Sequence, residues 1–131
     1  MSAETMVQTA LYNALSLLDL TVYDVAPQSA DGGDAGAFPY VTIGATVLAR
    51  WDTKDVNGFD FVTRIHTRSR TAGMKEAKDI QGRIYSRLHH SALTIPGYNL
   101  TLIQFETSDV TRVSDGSFHG ISEFRGMIEK A

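Results

Sequence analysis

The sequence predicts an α+β domain in which two helices pack on one face of a mostly antiparallel sheet, in the order α-β-β-α-β-β. Apolar residues recur at three- and four-residue spacing in two separate segments, as in amphipathic helices. Each of these segments is followed by two strand-like segments joined by a polar or glycine-containing stretch. The same helix–strand–strand pattern therefore occurs twice along the chain.

The first helix is predicted from about Ala3 to Leu18, because Val7, Leu11 and Leu15 share one helical face. A short extended piece, 22–26, then ends at Pro27. The following stretch, 28–37, contains three glycines and two aspartates without a bulky apolar residue, which is typical of a loop.

The first pair of strands is predicted at 40–49, which is rich in β-branched residues, and at 58–68. The second strand alternates strictly, with Phe61 and Ile65 on one face and Arg64, His66 and Arg68 on the other. The polar segment between them, 50–57, is predicted to form the charged end of a β-hairpin.

The second helix is predicted at about 74–89, with a buried stripe that consists of Ala77, Ile80, Ile84 and Leu88. Another of its faces carries Lys75, Asp79, Arg83 and Arg87 at four-residue spacing. Gly82 lies inside this helix and suggests close backbone packing there. After the turn Pro96-Gly97, a second hairpin is predicted from strands at 99–113, with a break near 107–109, and at 117–129, joined by Ser114-Asp115-Gly116.

Composition is that of an ordinary globular domain: the chain has 131 residues, of which 43% are hydrophobic and 21% charged. This length predicts one domain, 1–131, around one core. No apolar run approaches a membrane span, and no basic segment typical of a secretory signal opens the chain. The absence of cysteine excludes disulfides and thiolate metal sites and favours folding in a reducing cytoplasm. A net charge of -3 argues against a module that mainly grips nucleic acid.

The sequence contains no pattern that points to catalysis. Adjacent His89 and His90 lie at a helix end, where a favourable interaction with the helix dipole explains them better than a metal does. His66 has no neighbouring carboxylate to orient it, and His119 is expected at a surface or an interface. No nucleophile elbow, calcium loop or phosphate-binding loop is present. We therefore predict no catalytic residue, no metal site, no cofactor and no enzymatic activity.

Several short motifs together resemble the tail-completion, or tail-terminator, proteins of siphophages, prophages and gene transfer agents. The resemblance extends over nearly the whole chain through the order and spacing of Phe38-Pro39-Tyr40-Val41, Asp52-Thr53-Lys54 with Gly58, Ile65-His66-Thr67-Arg68-Ser69-Arg70, Gly73-Met74-Lys75-Glu76-Ala77 with Ile80, Ile84 and Leu88, Leu100, Phe105-Glu106, Asp115-Gly116, His119-Gly120 and Phe124-Arg125.

This resemblance implies a structural protein of the virion, assembled in the cytoplasm of a bacterial host, that caps the head-proximal end of the tail tube as a hexameric ring. Its implied partners are other copies of the chain, the major tail tube protein and the head connector or adaptor, with DNA passing through the ring without sequence-specific binding. No membrane partner is implied.

A closed ring needs two different complementary surfaces on each subunit. Arg64, His66 and Arg68 are our candidates for one surface, and Lys75, Asp79 and Arg83 for the other. The charged hairpin end is the candidate contact with the tail tube, through Arg50, Asp52, Thr53, Lys54 and Asp55.

Two other functions fit the same sequence. One is a head-closure or connector adaptor, which is also a small ring-forming virion subunit. The other is a small enzyme or ligand-binding α+β domain, which would require a preformed apolar pocket with converging polar groups.

Overall fold

Two helices and five strands make up the protein in a computed structural model that describes residues 2–23, 38–52, 57–71 and 73–131. In chain order the elements are α1 (Ala3–Ser16), β1 (Val22–Tyr23), β2 (Tyr40–Asp52), β3 (Asn57–Ser69), α2 (Lys75–Leu88), β4 (Tyr98–Arg112) and β5 (Phe118–Lys130). The α+β class and the order α-β-β-α-β-β are confirmed, with β1 as one additional short strand. The loop predicted at 28–37 lies outside the described residues.

All strands belong to one sheet, in the spatial order β1-β2-β3-β5-β4. β1 is parallel to β2, whereas all other neighbours are antiparallel. The two predicted hairpins, β2–β3 and β4–β5, are therefore joined by the pairing of β3 with β5. This arrangement places the β2–β3 end and the β4–β5 turn at opposite ends of the sheet.

Both helices pack on the same face of the sheet, and their buried side chains form the core with those of the strands. Ser2 begins α1 by accepting a hydrogen bond from the backbone N–H of Thr5 at 3.2 Å. The predicted stripe of α2, Ala77, Ile80, Ile84 and Leu88, is buried as expected. Burial of a side chain as large as Ile or Leu contributes roughly 1.5–3 kcal/mol, so packing rather than intrinsic propensity stabilises these helices.

The strands show the alternation predicted for a sheet with one covered face. Along β3, Phe61 and Ile65 are buried against the helices, while Arg64 on the opposite face is exposed. We call this opposite side the open face, because no described helix packs on it. The final strand follows the same rule, with Phe118, Phe124 and Ile128 buried.

Gly82 does not have the close neighbours that its position inside α2 suggested. It is exposed, and a β-carbon built there would meet no atom within 4 Å. The expectation of close backbone packing is therefore wrong. Such packing occurs instead at Gly126 on β5, where an added β-carbon would lie 2.2 Å from Cζ of Phe61.

The break predicted in the fourth strand is a register shift between Phe105 and Thr107, and a second shift lies between Leu100 and Leu102. The turn after β4 forms as predicted: Gly116 has φ +88°, and Asp115 accepts hydrogen bonds from both the backbone and the hydroxyl of Ser117. Neither described helix has the length and apolar character needed to span a bilayer.

Candidate functional site

The open face carries the first candidate set, Arg64, His66 and Arg68. All three lie on β3, the strand between β2 and β5, and their side chains point away from the helices because they alternate with buried residues. Arg64 is bound within the subunit: its Nε lies 3.2 Å from Oε1 of Glu123 on β5. Both groups remain accessible to solvent, so this ion pair contributes little to folding stability.

Two histidines meet on the open face although 53 positions separate them in the sequence. His66 on β3 and His119 on β5 are diagonal neighbours, and Nδ1 of His66 lies 2.8 Å from Nε2 of His119. Their rings are stacked, with centroids 5.0 Å apart. Gly44 on β2 makes room for the pair, because a β-carbon there would lie 2.7 Å from Nε2 of His66. One nitrogen of the short contact must donate and the other accept, so the geometry requires a neutral ring.

The surroundings of this pair oppose protonation. Burial lowers the pKa of His119 to about 4, helped by the positive charge of Arg68 and opposed by Asp109. Burial also lowers the pKa of His66, with Arg68 and then Arg64 acting in the same direction. The pair is therefore neutral near pH 7, and the fixed positive charge on this part of the open face comes from the arginines.

The second candidate set, Lys75, Asp79 and Arg83, lies on the helical side of the subunit. These residues line an open cleft of about 580 Å³ between α2 and the segment that follows α1. Arg83 donates a hydrogen bond to the carbonyl oxygen of Leu18, and Nε of Arg87 donates to that of Ala14 at 3.3 Å. Part of the charged ladder thus binds the carboxyl-terminal end of α1, a role that the sequence pattern did not reveal.

Two members of the third candidate set, Arg50 and Asp52, belong to the β2–β3 end. Arg50 is an exposed residue near the end of β2, and Asp52 pairs with Asn57 where the two strands separate. Trp51 and Gly58 form the next pair along the hairpin, and the ring of Trp51 lies against the α-carbon of Gly58. The other members of this set, Thr53, Lys54 and Asp55, lie outside the described residues.

The two histidines at the end of α2 connect this helix to β4. Nδ1 of His89 accepts a hydrogen bond from the backbone N–H of Phe105 at 3.0 Å, so the ring binds β4. His89 is also the residue at the carboxyl-terminal cap of α2, which agrees with its predicted place at a helix end. The backbone N–H of His90 binds the carbonyl oxygen of Ile103 at 2.8 Å.

The described residues do not bring together a site for metal chemistry. No three His, Asp or Glu side chains in these ranges are grouped in a way that could hold an ion. The three candidate sets instead occupy separate places on the subunit: the open face, the helical side and one end of the sheet. Such a distribution suits contacts with several large partners rather than the binding of one small molecule.

Comparison with known proteins gives a family match and a structural match. Residues 7–129 match the family described as "Tail completion protein gp17". Among solved structures, the fold is similar to a chain from "Virion of native gene transfer agent (GTA) particle", with a TM-score of 0.77 and 24% sequence identity over 93% of each chain. No curated protein matches the sequence. The match to the family extends over nearly the whole chain, and the chain therefore belongs to the tail completion protein gp17 family and is a structural component of a phage tail.

Proposed function

We propose that this protein caps the head-proximal end of a phage tail tube as a hexameric ring, where it ends tube growth and provides the surface for head joining. The observation that carries the proposal is the family match over residues 7–129. In this role residues 1–131 act as one non-enzymatic domain. The partners are other copies of the chain, the major tail tube protein and the head connector or adaptor, and DNA passes through the ring without sequence-specific contacts.

Placement of the charged side chains on opposite faces supports a ring. In a cyclic assembly each subunit presents two different surfaces, one to each neighbour. Arg64, His66 and Arg68 on the open face serve as one surface in this proposal. Lys75 and Asp79 on the helical side serve as the other, together with the part of Arg83 that remains exposed beside its bond to Leu18.

The β2–β3 end is the proposed contact with the tail tube. It lies at the end of the sheet opposite the β4–β5 turn, and its sequence contains both signs of charge, among them Arg50 and Asp52. Thr53, Lys54 and Asp55 belong to the same proposed contact. Charges of both signs favour a specific orientation on a charged partner more than they increase affinity.

Tail length tests this function directly. Tails assembled without the protein should vary in length, whereas added protein should cap them at a uniform length, as seen by negative-stain electron microscopy. Deletion of residues 53–56 should abolish capping while leaving ring formation intact, because neither proposed subunit contact includes any of these residues. Tails of normal length with the deleted protein would contradict the assignment of this end. Uniform tails in the complete absence of the protein would contradict the proposed function itself.

A further inference from the structure

A groove runs between α2 and β4, the strand at one edge of the sheet. It contains a cleft of about 320 Å³ that is lined by Tyr85, Phe105 and Val110 together with the opposite charges of Lys78 and Asp109. Tyr85 is 41% exposed, and its ring contacts that of Phe105 edge to face, with centroids 5.2 Å apart. Gly82 also borders the cleft, and no side chain at this position narrows it.

The backbone of β4 offers hydrogen-bonding groups along this groove that no described residue pairs. The N–H of Val113 donates to the carbonyl oxygen of Ser117, which closes the hairpin. Hydrogen-bonded and non-hydrogen-bonded pairs alternate along antiparallel strands. Because Val113 and Ser117 form a hydrogen-bonded pair, every second residue before Val113 belongs to a non-hydrogen-bonded pair. These residues are Arg112, Val110 and Ser108. Their N–H and C=O groups therefore point away from the sheet, toward the side where no described strand lies.

Only part of the β4 edge is available to pair with another strand. At its other half, the loop after α2 already covers the strand, through the bonds of His90 to Ile103 and of His89 to Phe105. Residues 106–112 lie beyond this cover, and all except Val110 have exposed side chains. The open half of the edge and the cleft thus lie side by side.

We propose that this groove binds an extended segment of a head-side virion protein, which adds to the sheet as a strand beside residues 106–112 and inserts an apolar or aromatic side chain into the cleft. An exposed edge strand beside a helix supports this mode of recognition, in which backbone bonds supply affinity and a side-chain pocket supplies specificity. The head-side position rests on the proposed function: if the β2–β3 end contacts the tube, the β4–β5 turn at the opposite end faces the head.

A single strand fits this groove better than a strand from a second copy of the chain. One edge that such a copy could offer is the part of β2 that β1 does not pair, 44–52. Because α1 packs against β2, that strand would bring a helix of the copy beside α2, whereas a single extended segment needs no room for a helix. The end of β5 is held within its own subunit, since the N–H of Ala131 donates to the carbonyl oxygen of Gly97 at 3.1 Å.

The test uses short synthetic peptides that overlap along the sequence of the head-side ring protein from the same virion. Binding is measured by fluorescence anisotropy, and hydrogen–deuterium exchange identifies the protected amides. At least one peptide should bind and slow exchange within residues 106–112. Gly82→Trp should weaken its binding by about tenfold or more, because the indole fills the cleft. Ser86→Trp places the same bulk on an exposed part of α2 outside this cleft and should leave the affinity unchanged.

Several results would overturn the proposal: no peptide binds, protection appears elsewhere, or Gly82→Trp, with an unchanged melting temperature, binds normally. Protection of residues 106–112 that grows with the concentration of the protein alone would identify a second copy as the occupant and would also overturn it. Tail capping is scored separately on the wild-type protein. If the protein binds a peptide but does not cap tails, the proposed ring function is contradicted and the proposed binding groove is not. If it caps tails but binds no peptide, only the proposed binding groove is contradicted.

Discussion

Individual glycines in this protein have opposite surroundings and therefore opposite tolerance of a side chain. Gly82 lies in a regular helix with open space beside it, whereas Gly126 lies under the ring of Phe61 and near the carbonyl oxygen of Leu102. In the helix, glycine only adds conformational freedom to the unfolded chain. In the strand, it allows a close contact that no other residue permits.

Gly82→Ala should accordingly stabilise the protein by about 0.5–1 kcal/mol, the difference in helix propensity between the two residues. Urea denaturation followed by circular dichroism measures this change. The matched control is Gly126→Ala, which should destabilise by about 1–3 kcal/mol because the core must shift to admit the methyl group. A loss of stability in Gly82→Ala would show that the helix has a neighbour at this position.

The His66–His119 pair predicts a dependence of stability on pH. Folding lowers the pKa of His119 from 6.5 to about 4 and lowers that of His66 as well. Between about pH 4 and 6.5 the unfolded chain binds more protons than the folded protein, so the free energy of unfolding should fall as the pH is lowered through this range. His119→Gln cannot take up a proton and should reduce this slope in urea titrations at several pH values. An unchanged slope would show that the pair does not control it.

At the scale of elements, α1 depends on α2 for satisfaction of its carboxyl-terminal carbonyl groups. The last turn of α1 contains no basic residue, and Arg83 and Arg87 of α2 donate to the carbonyl groups of Leu18 and Ala14 instead. A positive charge at this end of a helix is favourable because of the helix dipole. The two helices are thus joined by polar contacts in addition to their apolar packing.

Arg87→Ala should therefore lower the free energy of unfolding by about 0.5–1.5 kcal/mol, the usual contribution of such a hydrogen bond. Lys75→Ala, on an exposed part of the same helix, should change it by less than about 0.5 kcal/mol. Thermal and urea denaturation of the two variants provide the comparison. Equal free energies of unfolding for Arg87→Ala and Lys75→Ala would mean that water satisfies the carbonyl group of Ala14 as well as Arg87 does.

Local patterns predicted most elements but not their partners. The periodicity of Ile80, Ile84 and Leu88 predicted α2 to within one residue at each end, and alternation correctly placed Arg64, His66 and Arg68 on one face. The insertion of β5 between β3 and β4 follows from packing over long sequence distances, which neither pattern contains. The contact of His66 with His119 depends on that insertion, and so it was missed.

At the scale of the whole molecule, the proposed ring depends on charge at the open face. Arg68→Glu should reduce ring formation, since it places a carboxylate where the proposed contact uses a cation, and Arg68→Lys should preserve it. Analytical ultracentrifugation in the presence of tail tubes or at high protein concentration measures the assembly state. Rings of normal size and abundance with Arg68→Glu would remove the open face from the subunit contact.

The central position of β5 also affects the order of events during synthesis. β5 follows every other strand in the chain, yet it pairs with both β3 and β4. Until the ribosome has produced it, β4 has no partner strand, β3 pairs only with β2, and the hydrophobic core is incomplete. Unpaired strand edges of this kind are prone to aggregate. The sheet is therefore completed only after the last strand has left the ribosome, and the chain is most exposed to aggregation before that point.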